Sequence, residues 1–244
     1  MNKNNYIFLD FDGVLFDTVK ESYLLARYAF YGVEPQVKYD ESEYKIFHSA
    51  RYLITNSWHY YYIMKIINEK EFKNIYDFEE KYNDELLNRD KEKDGLFDTK
   101  FQEKRKDLIN NHYEFWNKLD EPYSFFYKIK DIQKSSNIII LSTKNEEAII
   151  KHCNDYGLDI ARENIIGKTK LKEFGSKKEY LTKYMSNNKI QNAIFIDDSI
   201  STINNCKDIP NLQTYVANWG YVKSISDGYN ENELINKIKE LNNG

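Results

Sequence analysis

The sequence predicts an α/β protein, a parallel sheet flanked by helices and interrupted by an inserted all-helical domain. Three observations carry this reading. From residue 138 onward, short apolar runs of strand type alternate with segments of helical periodicity, the signature of successive strand–helix–strand units. One more apolar run opens the chain, Tyr6-Ile7-Phe8-Leu9, and ends in Asp10-Phe11-Asp12-Gly13, as a strand buried on both faces does where it reaches a ligand crevice. Between the two, residues 19–121 carry amphipathic helical stretches and almost no strand signal.

The strands are read at 6–10, 138–142, 164–166, 193–197 and 212–216, each rich in β-branched or aromatic residues. Helices are read at 146–156, 177–186 and 232–241, where apolar residues recur at helical spacing. The insert is read as helices over 21–31, 44–68, 78–88 and 101–119. The charge run 91–94 reads as a solvated loop. The chain therefore divides into an α/β core, residues 1–18 and 122–244, and a helical domain, residues 19–121. In that domain Trp58, His59 and Arg51 are candidates to line a pocket, against the alternative that aromatic residues at helical spacing are core.

Composition narrows the function classes. At 244 residues the chain can bury a sizeable core. Its mean hydropathy is −0.75, no apolar run approaches the roughly 20 residues of a membrane span, and its start lacks the layout of a secretory leader. A cytoplasmic protein with no membrane partner is expected. A net charge of −4, with Lys spread among Glu and Asp, argues against a nucleic-acid partner. Scarce Gly (9) and Pro (3) beside 21 Tyr and 14 Phe favour helices with aromatic packing over a turn-rich β fold. Cys153 and Cys206 show no metal-ligand spacing and read as buried free thiols. His48, His59, His112 and His152 are scattered and match no metal site. Gly167-Lys168-Thr169 imitates the end of a nucleotide-binding loop, but Arg162 stands where the first Gly is required.

Chemistry is concentrated at the end of the first strand. Asp10 and Asp12 are two apart, so in extended backbone both point the same way. Two carboxylates that close repel unless a cation neutralises them or one takes a proton, so the pair points to a metal, an acid–base role or both. The plain alternative is a capping Asp followed by an Asp-Gly turn.

Four segments in order resemble the haloacid dehalogenase (HAD) superfamily, and more narrowly its phosphoglycolate-phosphatase-like members with a helical cap inserted after the first strand. Asp10-Phe11-Asp12-Gly13-Val14-Leu15-Phe16-Asp17 matches the family's first motif. Ile138-Ile139-Ile140-Leu141-Ser142 matches the second, Lys177 in Gly175-Ser176-Lys177-Lys178 the third, and Ile194-Phe195-Ile196-Asp197-Asp198-Ser199 the fourth. Asn218-Trp219-Gly220-Tyr221 is similar to a Trp-Gly-Tyr segment of those members. Two positions depart from the pattern. No Pro follows Lys177, which leaves Lys178 as a competitor, and Thr202 stands where many relatives carry a further Asp, which makes Asp197 the partner of Asp198.

The resemblance implies a Rossmann-like core and a Mg²⁺-dependent phosphatase of a small phosphorylated metabolite, acting through an aspartyl-phosphate. It implies Asp10 as nucleophile and Asp12 as acid and base. Ser142, with Thr143 beside it, and Lys177 would bind phosphate, and Asp10, the Asp12 carbonyl, Asp198 and Asp197 would surround the metal. Taken alone, Ser142 and Thr143 also read as a helix cap and Lys177 as a surface lysine. A hard divalent cation suits these oxygens, and no His or Cys joins them to favour Zn²⁺. A sugar phosphomutase and a non-catalytic binding protein are the alternatives on the same fold, and a dehalogenase is disfavoured because Asp12 is present. The protein is expected to be a monomer or homodimer.

Overall fold

A computed structural model describes residues 5–243. Its main sheet has five parallel strands in the order β5-β4-β1-β6-β7, formed by β1 (Asn5–Leu9), β4 (Asn137–Leu141), β5 (Ile165–Ile166), β6 (Asn192–Asp197) and β7 (Leu212–Val216). Two short strands, β2 (Phe16–Asp17) and β3 (Glu121–Pro122), pair antiparallel. The chain separates into two compact units, one formed by residues up to Asp17 with those from Glu121 onward, the other by Thr18–Asp120.

The second unit is helical: α1 (Val19–Tyr31), α2 (Glu41–Ser49), α3 (Tyr60–Glu69), α4 (Ile75–Leu87), α5 (Lys91–Asn111) and the single turn α6 (Tyr113–Trp116). The single helix read over 44–68 is in fact two. Ile54 and Asn56 are extended, flanked by tight turns at Arg51–Leu53 and Ser57–His59, and the β-branched and capping residues Ile54-Thr55-Asn56-Ser57 stop the helix there. The run 91–94, read as a loop, is instead the first turn of α5. The Asp90 carboxylate caps it by accepting from the Glu92 and Lys93 amides, and its acidic residues suit a helix N-terminus. The helix read over 101–119 likewise ends at Asn111.

A buried ion pair ties this unit together. Glu21, fully buried on α1, accepts from Arg105 Nε and Nη2 at 2.8 Å each and from Trp116 Nε1 at 2.7 Å, joining α1 to α5 and α6. Removing one partner strands a buried charge. Glu21→Ala is therefore expected to cost about 3–5 kcal/mol, and the paired change Glu21→Met with Arg105→Met to recover most of it. Denaturant unfolding of the two variants checks this.

In the first unit, α7 (Ser124–Ile132), α8 (Glu146–Tyr156), α9 (Lys168–Phe174), α10 (Lys177–Asn187), α11 (Ile200–Cys206) and α12 (Glu231–Asn243) cover both faces of the sheet. Side chains alternate along each strand, so Ile7, Leu9, Ile138, Ile140, Ile194 and Ile196 pack under α7, α8 and α12. Phe8, Ile139, Leu141 and Phe195 pack under α9, α10 and α11. Burial on both faces is why these strands are near-continuous apolar runs. Among the described residues no helix is long and apolar enough to cross a membrane.

The strand order places a crevice. From β1 the chain returns to β4 on one side and later to β6 on the other, so the connections diverge around β1. In open parallel sheets, ligands bind beyond the carboxyl ends of the strands at such a point.

Candidate active site

Asp10 follows directly on β1, and its amide continues the ladder by donating to the Ile196 carbonyl at 2.9 Å. The next residues turn back sharply. Leu15 and Phe16 N–H donate to the Phe11 carbonyl at 2.9 and 3.0 Å, and Gly13 N–H donates to the Phe16 carbonyl at 2.8 Å. Gly13 has φ +80°, and a Cβ there would lie 2.0 Å from Asp198 Oδ2, so both conformation and space require glycine.

The strand ends deliver the carboxylates to one place. One oxygen each of Asp10, Asp197 and Asp198 lie within 4.8 Å of one another, and all three residues are buried. Lys177, the first residue of α10, sets its Nζ 2.8 Å from both Asp10 Oδ2 and Asp197 Oδ2. Lys178, one residue on and turned about 100° around the helix, pairs with exposed Asp208 instead. Asp10 Oδ1 accepts from the Phe11 amide at 2.7 Å. Asp197 Oδ1 accepts from the Ser199 amide at 2.8 Å.

Burial pushes the Asp10 carboxyl up to about 6 against the pull of Lys177, with Asp197 and Asp12 adding to the rise. Burial acts to lower Lys177, but Asp10 and Asp197 outweigh it and hold its ammonium above the ordinary range. Asp12, two residues beyond Asp10, faces a second buried ammonium, Lys144 Nζ, at 3.3 Å. Four carboxylates thus stand against two lysines, an excess of two negative charges that a divalent cation would offset. The donor set is all oxygen, which fits Mg²⁺.

Ser142 is buried on the turn after β4, beside the end of β1, while Thr143 next to it is exposed. Neither is the cap of α8. That role belongs to Asn145, whose side chain accepts from the Glu147 and Ala148 amides. The Trp-Gly-Tyr segment closes the site from the far side. Trp219 Nε1 donates to the Val14 carbonyl at 3.1 Å, Tyr221 N–H to Asp198 Oδ2 at 2.7 Å, and the Tyr221 hydroxyl to Asp17 Oδ1 at 3.0 Å. At Gly220 a Cβ would lie 2.2 Å from the Gly13 carbonyl oxygen, so this close approach also needs glycine.

Several other residues take structural places. The amides of Thr169 and Lys170, at the start of α9, donate to Glu146 Oε1 at 2.9 and 3.0 Å, so the Gly167-Lys168-Thr169 look-alike already holds an internal carboxylate. In the helical unit, Trp58 lies under the Arg89 guanidinium, Arg51 over the Tyr60 ring, and buried His59 against the Tyr82 hydroxyl. Burial, with Arg89 and Arg51 adding, pushes His59 down to about 4, so at neutral pH it is an uncharged packing residue. Cys153 and Cys206 are buried free thiols, and burial pushes them up to about 12 and about 11. Lys144 escaped the sequence reading. Lysine is mostly a surface residue, and nothing in its neighbours' spacing marks this one as buried.

The architecture matches solved structures of haloacid dehalogenase-like hydrolases, and the chain has their fold. A predicted phosphatase from Clostridium acetobutylicum is similar over 97% of this chain and 98% of its own, with a TM-score of 0.61 and 14% identity. A predicted phosphoglycolate phosphatase from Haemophilus somnus covers 91% and 89%, with a TM-score of 0.56 and 12% identity. A HAD family hydrolase from Deinococcus radiodurans, solved with bound phosphate and sodium, covers 97% and 95%, with a TM-score of 0.55 and 12% identity. No family model and no curated protein matches the sequence.

Proposed function

We propose that the protein is a Mg²⁺-dependent phosphomonoester hydrolase of a small phosphorylated metabolite in the cytoplasm, working through an aspartyl-phosphate on Asp10. The observation that carries this is the meeting of Asp10, Asp197 and Asp198 with Lys177 at the carboxyl ends of β1 and β6. The fold shared with a predicted phosphatase and with a HAD family hydrolase solved with bound phosphate supports it.

An Asp10 carboxylate oxygen attacks phosphorus while the bond from phosphorus to the ester oxygen breaks, and the departing oxygen takes a proton from Asp12 to leave as an alcohol. Asp12 then accepts a proton from water as that water attacks phosphorus. The bond to Asp10 breaks, which releases inorganic phosphate and regenerates the free carboxylate. Lys177 holds Asp10 in place and offers charge to the phosphoryl oxygens, and Ser142 offers a hydroxyl. Asp10, Asp198 and the Asp12 carbonyl would hold Mg²⁺, which screens the repulsion between carboxylate and phosphate. Asp197, already engaged by Lys177 and the Ser199 amide, steadies the surroundings of the ion. The inserted helical unit is assigned the choice of substrate.

Release of inorganic phosphate from a panel of sugar, nucleotide and organic-acid phosphates tests the reading. Release is expected to require Mg²⁺ and to fall when Ca²⁺, which takes more ligands at longer distances, replaces it. Full activity after exhaustive chelation would contradict the metal. Isomerisation of a sugar phosphate without phosphate release would make the protein a mutase.

A further inference from the structure

We propose that Lys144 is a positioning residue for Asp12, holding the carboxylate where it exchanges its proton with the ester oxygen and the attacking water. The inference rests on the hydrolase reading above and adds a component to it. The Lys144 side chain has no exposure, and its Nζ lies 3.3 Å from Asp12 Oδ1 and 5.9 Å from the centre of the Phe11 ring. A lysine is almost never buried so fully unless an opposite charge holds it.

Its backbone is clamped as well. The Lys144 amide donates to Ser142 Oγ at 3.3 Å, and its carbonyl accepts from the Lys168 amide at 2.9 Å. At Gly167 a Cβ would lie 2.7 Å from that carbonyl oxygen, so the approach that anchors Lys144 depends on glycine. The turn after β4 thereby delivers a charge to Asp12, as the start of α10 delivers one to Asp10.

Each carboxylate of the pair accordingly faces an ammonium, Asp10 that of Lys177 and Asp12 that of Lys144. Asp12 needs one because its charge and that of Asp10 repel each other, with Asp197 and Asp198 close by, and the Asp12 oxygen that faces Lys144 is buried. A proton donor must sit within hydrogen-bond reach of the leaving oxygen, and a displacement of about 1 Å can cost about 10²-fold.

A buried ion pair of purely structural value would affect every substrate alike, whereas a residue acting through Asp12 would not. The test uses the full chain with Lys144→Met, which keeps the unbranched shape without the charge, and Lys144→Gln as a second variant in case the first does not fold. Each is compared with wild type by kcat/KM on an alkyl phosphate, whose leaving oxygen needs a proton, and on an aryl phosphate, whose leaving oxygen does not. The alkyl ester is expected to lose about 10–100-fold and the aryl ester no more than about threefold. In an Asp12→Asn background, Lys144→Met should add no further loss, because the two act as one unit. Equal losses on both esters, or losses that add to those of Asp12→Asn, would overturn the assignment while leaving the hydrolase reading intact. A wild type inert on both esters would overturn the hydrolase reading and this assignment with it.

Discussion

Asp10→Asn is expected to lower turnover by at least about 10⁴-fold while leaving the fold intact. The amide keeps the shape of the carboxylate and its place beside Lys177 but cannot form an acyl phosphate. Normal turnover by the purified variant would remove Asp10 as nucleophile. The same change has an opposite effect on stability. Burial raises the Asp10 carboxyl to about 6 in the metal-free protein, well above its ordinary value of 3.8. Its favourable contribution is therefore fully present below about 4 and lost as pH rises through about 6. At pH 7 the ionised group opposes folding, so metal-free Asp10→Asn should unfold at a higher temperature than metal-free wild type. That gain should vanish near pH 4, which thermal scans at the two pH values would reveal.

Gly13→Ala is expected to weaken Mg²⁺ binding about 10–100-fold and to lower kcat/KM by a similar factor, although it removes no ionisable group. The added Cβ would sit 2.0 Å from Asp198 Oδ2 and 2.9 Å from Tyr221 Cδ2, at a φ that L residues rarely adopt. Asp198 cannot simply swing aside, because the Tyr221 amide holds that same oxygen at 2.7 Å. Gly95→Ala, in α5 with open space around it, is the control. It should leave activity unchanged and gain up to about 1 kcal/mol from helix propensity. Unaltered Mg²⁺ affinity in Gly13→Ala would show that the loop after β1 does not set the position of Asp198.

What sequence reading could and could not find follows from which forces leave a local trace. Strands buried on both faces announce themselves, as the interiors of β1, β4 and β6 do with their unbroken apolar runs, and all five strands of the main sheet lie within one residue of where periodicity set them. Helix breaks left a weaker trace. The stop between α2 and α3 comes from four residues whose preferences are each small, and the helical character of 91–94 depends on a cap at Asp90 that a charge count does not see. At the site, Asp10, Asp197 and Asp198 stand at strand ends, where topology alone brings them together. Lys177 and Lys178 are equivalent in sequence, and only the turn of α10 separates the one that meets Asp10 from the one that meets Asp208. Lys144 was illegible for a related reason, since its burial arises from contacts with Asp12 and Lys168, both distant in the chain.

The most direct measurement is acid-quench mass spectrometry of the protein mixed with Mg²⁺ and an aryl phosphate, whose leaving oxygen needs no proton from Asp12. The Asp12→Asn variant should be used, because without its base the breakdown of the intermediate slows. A single added phosphoryl group is expected on the peptide containing Asp10, and it should disappear on treatment with hydroxylamine. A phosphoryl group on Ser142 or elsewhere, or none while phosphate is still released, would contradict the aspartyl-phosphate on Asp10.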